Sequence, residues 1–84
     1  MDNTDIEYSR QAIKFLKSRD KKDRQLLMIA IEKIKEQEEH IPLKKFPYYK
    51  KRVGNYRIIY DSKQKILSIV VIDNRGQVYK HLDK

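Results

Sequence analysis

The sequence predicts an α+β fold in which an N-terminal strand and a two-helix antiparallel hairpin pack on a three- to four-stranded, mainly antiparallel sheet. Apolar residues recur at helical spacing in the first half of the chain. The second half contains three runs rich in aromatic and β-branched residues, which favour strands. The chain has 84 residues with only two glycines and two prolines, so we expect a single domain over residues 1–84.

The first half begins with a short predicted strand at residues 6–8. A first helix follows, because one of its faces carries apolar residues at the spacing i, i+3, i+4: Ala12, Phe15 and Leu16. A second helix is expected to start after Asp20, a predicted N-cap, with Asp23 as the acid of a capping-box-like start.

The second helix has one apolar stripe and charged residues on its other faces, which is typical of a helix that covers a core. The stripe consists of Leu27, Ala30, Ile31 and Ile34. The helix is expected to end in the acidic run at residues 36–39, because a residue that precedes proline, here Ile41 before Pro42, disfavours helix.

The second half contains predicted strands at residues 48–53, 56–61 and 66–72, with Gly54-Asn55 as a two-residue hairpin turn between the first two. This turn places Val53 opposite Tyr56, Arg52 opposite Arg57, Lys51 opposite Ile58 and Lys50 opposite Ile59. The face expected on the helices carries Tyr49, Val53, Tyr56, Ile58, Tyr60, Leu67, Ile69 and Val71, with Lys51 as the exception. The other face carries Tyr48, Lys50, Arg52, Arg57, Ile59, Ser68 and Val70. Residues 73–76 have turn chemistry, and residues 77–80 form a last extended piece.

Several classes of protein are disfavoured by composition. The chain has no cysteine, which excludes disulfides and thiolate zinc sites. No ligand spacing indicates a metal site, and no cofactor is expected. The N-terminal segment lacks the apolar run of a signal peptide, and the longest apolar stretch, residues 69–72, is too short to span a membrane. We therefore expect a cytoplasmic protein.

The positive charge is concentrated in one half of the chain. Residues 1–43 hold nine Lys/Arg and nine Asp/Glu, whereas residues 44–84 hold eleven Lys/Arg and three Asp/Glu, which accounts for the whole net charge of +8. A one-sided basic field attracts polyanions, of which nucleic acid is the commonest in a cell. A charge of this size is also compatible with solubility alone.

The predicted hairpin strengthens the indication that the chain binds nucleic acid. Arg52 and Arg57 face each other across the two strands, with Lys50 two residues along the same face. Like charges directly opposed are destabilising, so a polyanion between them is the better explanation. Tyr48 on that face offers a ring on which a base could stack. The alternative is that the long side chains extend into solvent.

The stretch Arg52-Val53-Gly54-Asn55-Tyr56-Arg57-Ile58-Ile59-Tyr60, followed by Asn74-Arg75-Gly76-Gln77-Val78-Tyr79-Lys80, resembles the C-terminal half of toxins of the RelE/ParE superfamily, which belong to type II toxin–antitoxin systems. The N-terminal half, from Tyr8-Ser9-Arg10-Gln11-Ala12 into two helices, is similar too. The resemblance implies the fold predicted above. RelE-type members cut mRNA in the ribosomal A site, whereas ParE-type members poison gyrase on the same fold.

The resemblance implies a RelE-type endoribonuclease, because Arg57, Arg75 and Tyr79 fall where such nucleases keep active-site groups. Lys50 falls near one of their lysines and completes the expected catalytic set. The residues expected to bind RNA are Lys44, Lys45, Tyr48, Lys51, Arg52 and Lys80. Some ribosome-dependent relatives use a histidine or glutamate as the base; here Val78 precedes Tyr79 and His81 follows it by two residues. We expect His40 and His81 to be ordinary surface residues, and whether Lys50 or Lys51 is catalytic stays open.

Metal-free RNA cleavage uses the neighbouring 2′-hydroxyl as nucleophile, with cations on the phosphorane and groups that move protons. Arg57 and a lysine suit phosphate stabilisation. By resemblance Arg75 is an acid, but arginine holds its proton too strongly at neutral pH, so charge stabilisation is the better role. Tyr79 is expected to position a base or assist proton transfer.

The partners implied are a cognate antitoxin encoded beside the gene, the ribosome with its mRNA, and operator DNA through the antitoxin complex. No membrane partner is expected. Two alternatives remain at the level of sequence: a ParE-type gyrase inhibitor without nuclease activity, and a basic nucleic-acid-binding module.

Overall fold

A computed structural model describes residues 5–82, so residues 1–4 and 83–84 of the predicted domain lie outside the described part. In chain order the elements are β1 (Asp5–Tyr8), α1 (Arg10–Ser18), α2 (Lys21–Glu36), β2 (Ile41–Pro42), β3 (Tyr49–Val53), β4 (Tyr56–Lys63), β5 (Ile66–Asn74) and α3 (Val78–Leu82). The strands form a five-stranded sheet in the order β1-β5-β4-β3-β2, in which β1 is parallel to β5. The α+β prediction is confirmed. The predicted strand count was too low, because β2 has only two residues and contains a proline.

The helix starts are set by side-chain caps. Ser9 caps α1, and Asp20 caps α2 by accepting a hydrogen bond from the Asp23 backbone N–H at 2.8 Å, as the sequence predicted. The Asp23 carboxylate does not complete a capping box; it accepts a hydrogen bond from the Tyr56 hydroxyl at 2.6 Å, and this bond raises the pKa of Tyr56. Asp23 therefore fastens the start of α2 to β4.

The β3–β4 hairpin has the predicted register. Val53 pairs with Tyr56, Arg52 with Arg57, and Lys50 with Ile59. Gly54 opens the turn with a φ of +58°. A left-handed residue in the first central position of a two-residue turn matches the right-handed twist of the strands. The turn therefore places Arg52 and Arg57 on the same face of the sheet.

One face of the sheet packs on α1 and α2 around a buried core that includes Tyr60, which is fully buried. The apolar stripe of α2 lies in this core as predicted. The core comprises Ala12, Leu16, Leu27, Ala30, Ile31, Ile34, Val53, Ile58, Tyr60, Leu67, Ile69 and Ile72.

A bulge in β5 places Val71 on a different face of the sheet from the one predicted. Pairing passes from Ile59–Val71 to Tyr60–Ile69, so Val70 is an extra residue in β5. One extra residue reverses the alternation of faces. Val71, predicted on the helix side, therefore packs with Ile59 on the opposite face, and Ile72 takes its place in the core.

The N-terminus of α1 is fastened to the bulge. The Ser9 hydroxyl donates a hydrogen bond to the Val70 carbonyl at 2.6 Å while accepting one from the Ala12 backbone N–H at 3.0 Å. The Gln11 side-chain amide donates to the Ile72 carbonyl at 2.8 Å and accepts from the Ile72 N–H at 3.0 Å. These bonds satisfy backbone groups of β5 beyond the end of β1.

The C-terminal prediction was wrong in its type of element. Residues 77–80 were expected to be extended, but Val78–Leu82 form α3. Val78 is fully buried in a second cluster with Ile59 and Val71, and Tyr79 and Leu82 pack against that cluster. The helix forms because the bulge leaves an apolar patch on this face that Val78 and Leu82, one helical turn apart, can cover.

The expectation that His40 is an ordinary surface residue was also wrong. His40 is half-buried, and its Nδ1 lies 2.8 Å from the Tyr60 hydroxyl in a hydrogen bond. Its ring contacts Tyr49 and Tyr60, with centroid distances of 5.2 and 5.5 Å. Burial raises the pKa of Tyr60. His40 thus satisfies the one polar group of a tyrosine that lies in the core.

Candidate functional site

The centre of the candidate site is Arg57 in the middle of the sheet. It pairs with Arg52 on β3 and with Asp73 on β5. Its relative exposure is 9%, and its Nη1 donates a hydrogen bond to the Tyr79 hydroxyl at 2.9 Å. Its Nε is buried without a hydrogen-bond partner. Among residues 5–82, no carboxylate oxygen forms an ion pair with Arg57.

A buried cation without a counter-charge is costly, because burial removes its hydration and nothing replaces it. The neighbours increase the cost, since Arg52 lies directly opposite on the same face. Functional sites commonly retain such unfavourable arrangements. An anion from outside the chain would relieve the cost of burying Arg57.

Two adjoining cavities form a basic groove beside Arg57. One, of about 460 Å³, is lined by Ile41, Lys50, Arg52 and Arg57. The other, of about 450 Å³, shares Ile41 and Lys50 with the first and is also lined by Pro42, Leu43, Lys44, Lys45, Phe46 and Tyr79. We call the two together the basic groove. Its walls bring Lys44, Lys45, Lys50, Arg52, Arg57 and Tyr79 together, all of which the sequence singled out.

The face that carries Arg57 is less open than the sequence predicted, because α3 covers part of it. Arg57 was expected on an open face, pointing away from α1 and α2. It does point away from them, but Tyr79 of α3 meets it and the residue is buried. The reason is again the apolar patch of Ile59 and Val71, which holds α3 against the sheet.

Asp73 and His81 form a pair that the sequence did not reveal. His81 Nε2 lies 2.9 Å from Asp73 Oδ2, and Asp73 Oδ1 accepts a hydrogen bond from the Asn74 backbone N–H at 2.7 Å. Asp73 is the cross-strand neighbour of Arg57, so the pair lies on the face of the basic groove. His81 was expected to be an ordinary surface residue near the C-terminal end of the chain. It is exposed, but α3 brings it back to Asp73 of β5, which an extended C-terminal piece would not do.

Four of the predicted site residues lie outside the basic groove. Lys51 is on the helix side, where its Nζ donates a hydrogen bond to Gln37 Oε1 at 2.9 Å. Tyr48 packs against the cluster around Ile59. Arg75 is exposed in the turn after β5, where its backbone N–H bonds the Asn55 carbonyl at 2.9 Å. Lys80 is exposed on α3.

Two further observations concern only residues 5–82. They contain no group of three or more His, Cys, Asp or Glu placed to hold a metal ion. None of their helices has the length and apolar character that a membrane span requires.

No family model matches the sequence, and no curated protein matches it in sequence. Solved structures do match it. The intact E. coli RelBE toxin-antitoxin complex contains a similar chain with a TM-score of 0.72 and 18% identity, over 86% of this chain and 96% of that one. The RelE-RelB complex from Pyrococcus horikoshii OT3 gives a TM-score of 0.67 and 26% identity over 88% and 97%. YafQ from E. coli strain BL21(DE3) gives a TM-score of 0.63 and 19% identity over 92% of this chain and 99% of that one. The chain therefore has the fold of the RelE toxins, and the resemblance found in its sequence is confirmed at the level of the fold.

Proposed function

We propose that this chain is the toxin of a type II toxin–antitoxin system and that it is a metal-independent endoribonuclease cleaving mRNA in the ribosomal A site. The observation that carries the proposal is Arg57: a buried guanidinium with no carboxylate partner among residues 5–82, hydrogen-bonded to Tyr79 and opening on the basic groove. Such a group suits a phosphate that gains negative charge during the reaction. The similar structures, RelE toxins among them, support the same class of protein.

The chemistry begins with attack of the 2′-hydroxyl on the adjacent phosphate, which forms a phosphorane and expels the 5′-oxygen. Arg57 holds two of the phosphate oxygens as a rigid fork, and Lys50 adds a point charge from the neighbouring strand. The Tyr79 hydroxyl keeps the guanidinium in place. Lys44, Lys45 and Arg52 bind the flanking phosphates.

The Asp73–His81 pair is our candidate for the proton transfer. Asp73 accepts the Nε2 proton of His81, which fixes the tautomer and leaves Nδ1 as the proton acceptor. A neutral imidazole so oriented takes the 2′-hydroxyl proton, whereas the arginines and lysines of the groove are protonated and cannot. His81 is thus the proposed base and Arg57 the proposed phosphate stabiliser, and the expelled 5′-oxygen takes a proton from solvent water.

The ribosome would hold the mRNA in the reactive geometry, which the basic groove alone does not impose. The groove is open, so free RNA would sample many conformations in it, and few would align the 2′-hydroxyl with the leaving oxygen. Holding a substrate in the reactive geometry contributes up to roughly 7–11 kcal/mol of a barrier. Exposed Arg75 and Lys80 lie outside the groove, where they would contact RNA or the ribosome beyond the cleaved nucleotide. Such a protein acts in the cytoplasm, where mRNA is translated.

An antitoxin is the proposed regulatory partner. Large apolar side chains are exposed on the helical hairpin, namely Ile13, Leu26, Met28 and Ile29. A partner that covers them and also neutralises the basic groove would combine an apolar helix face with acidic residues. Three similar structures are RelB–RelE complexes. Operator DNA would be bound through such a complex.

The test is primer extension on translated mRNA after brief induction of the chain. We expect sharp in-frame cuts, and Arg57→Ala and Tyr79→Phe should lower cleavage by roughly 10²–10⁴-fold because each removes a positioned group. Lys51→Ala is the matched control, since Lys51 bonds Gln37 outside the groove. An absence of cuts together with accumulation of gyrase-cleaved DNA would favour the ParE-type alternative and overturn the nuclease proposal.

The antitoxin is tested by co-expression with each small neighbouring open reading frame and purification through a tag on one partner. We expect one of these products to co-purify with the chain and to abolish growth arrest. Recovery of the chain alone in every case, with unchanged toxicity, would contradict the partner.

A further inference from the structure

We propose that the apolar end of the basic groove is a binding site for one nucleobase of the RNA, next to the phosphate held by Arg57. This subsite is lined by Ile41, Pro42, Leu43, Lys44, Lys45, Phe46, Lys50 and Tyr79. The inference rests on the proposed function and adds to it a determinant of which nucleotide is bound.

The lining has the composition of a base-binding site. Phe46 is half-buried in the loop between β2 and β3, and Lys44 and Lys45 are exposed immediately before it. An accessible ring beside lysines is the arrangement with which proteins bind single-stranded RNA, because bases stack on the ring while phosphates meet the charges. The volume of about 450 Å³ lies within the range of roughly 300–1,000 Å³ found for small-ligand sites.

The loop that carries Phe46 is held in shape before any ligand binds. The Leu43 backbone N–H donates a hydrogen bond to the Tyr48 carbonyl at 2.9 Å, which closes the loop. Pro42 and Pro47 restrict its backbone. Leu43 and Tyr48 pack against the buried cluster of Ile59, Val71 and Val78. A preformed subsite loses little entropy on binding.

Tyr79 joins the subsite to the phosphate position. It lines the apolar cavity, while its hydroxyl accepts a hydrogen bond from Arg57 Nη1 at 2.9 Å. Lys50 lines both cavities of the groove. The cavity that Arg57 lines shares Ile41 and Lys50 with the cavity that Phe46 lines, so the base of a nucleotide whose phosphate meets Arg57 can enter the adjoining cavity. The lysine rim favours a nucleotide over an apolar side chain of a protein.

The test measures RNA binding without cleavage. The probe is a fluorescent trinucleotide carrying 2′-O-methyl groups, which lacks the nucleophile, together with three versions in which one base at a time is removed. Binding to the full chain is followed by fluorescence anisotropy. For the wild type we expect one abasic version to bind about 10- to 100-fold more weakly than the intact probe, as for the loss of one base–aromatic stack.

The variant Phe46→Ala should bind the intact probe more weakly by a similar factor. It should also bind that abasic version with the same affinity as the intact probe. Phe46→Trp keeps a ring and should retain the distinction, which separates stacking from a loss of folding. Ile66→Ala, an exposed apolar change at the start of β5, is the matched control and should alter neither affinity.

An equal effect of base removal on the wild type and on Phe46→Ala would overturn the inference, and so would an intact probe that binds no better than every abasic version. The proposed function fails differently: if Arg57→Ala leaves the affinity for the intact probe unchanged, the phosphate site itself is wrong.

Discussion

The charge buried at Arg57 leads to a prediction that separates function from stability: replacing it with methionine should abolish toxicity and yet stabilise the fold. Methionine has a similar length and no polar hydrogens. The substitution removes the buried Nε, which has no hydrogen-bond partner in the described part of the chain, and the like charge opposite Arg52. It also removes one hydrogen bond, to Tyr79.

The magnitudes favour a net gain. An unsatisfied buried donor costs about 1–3 kcal/mol, and a hydrogen bond from a charged donor such as the guanidinium contributes about 1.5–3 kcal/mol, so these two terms nearly cancel. The desolvation of a buried cation costs several kcal/mol, and this is the term that favours methionine. Removing the opposed charges adds a few tenths of a kcal/mol. We therefore expect Arg57→Met to raise the free energy of unfolding by about 1 kcal/mol, which for a domain of this size raises the melting temperature by about 4–8 °C.

Urea unfolding followed by circular dichroism measures the free energy of unfolding, and growth arrest after induction measures toxicity. Arg52→Met is the matched control on the opposite strand; its side chain is exposed, so the free energy of unfolding should change by less than about 0.5 kcal/mol. A less stable Arg57→Met protein that still arrests growth would show that Arg57 is a structural residue, and the reasoning would be refuted.

Three further outcomes are expected. His81→Asn should lower cleavage by roughly 10²–10⁴-fold while leaving the affinity for the 2′-O-methyl probe unchanged, and full cleavage by this variant would mean that His81 only fastens α3 to Asp73. Ser9→Ala removes the cap of α1 and the partner of the Val70 carbonyl, so it should lower the free energy of unfolding by about 1–3 kcal/mol in urea titrations; a loss as small as that of exposed Ser18→Ala would contradict this. Burial raises the pKa of Tyr60 in the folded state. The contribution of the protonated Tyr60 hydroxyl to stability is therefore complete below its unfolded pKa of about 10 and is lost as the pH rises through its folded pKa. The free energy of unfolding should therefore fall as the pH rises above about 10, and that of Tyr60→Phe should fall less steeply; equal slopes would contradict this assignment.

The hairpin could be predicted because its signals are local. Gly54-Asn55 separates two runs of alternating residues, and a two-residue turn allows one register, which aligned Arg52 with Arg57. The start of α2 was predictable for the same reason, since Asp20 bonds a backbone group three residues away. The cationic part of the site followed directly from this register.

The features that the sequence did not predict depend on contacts between distant segments of the chain. The bulge at Val70 adds one residue to β5 without a glycine or proline to mark it. A five-residue helix such as α3 is unstable alone and forms only on the apolar patch that the bulge creates. The burial of Arg57 and the Asp73–His81 pair both require α3, so neither could be inferred from local pattern.

The position of β5 in the sheet has a consequence for how the chain folds as it is synthesised. β5 lies between β1 and β4, and the bond from Ser9 to the Val70 carbonyl spans 61 residues. Until β5 has been made, β1 and α1 have no strand to dock on, so the early part of the chain cannot complete a core. Such long-range pairing raises the contact order and slows folding. A prematurely terminated chain that lacks β5 would accordingly have no ordered site, and a partner that recognises the folded chain would meet it only after synthesis has passed β5.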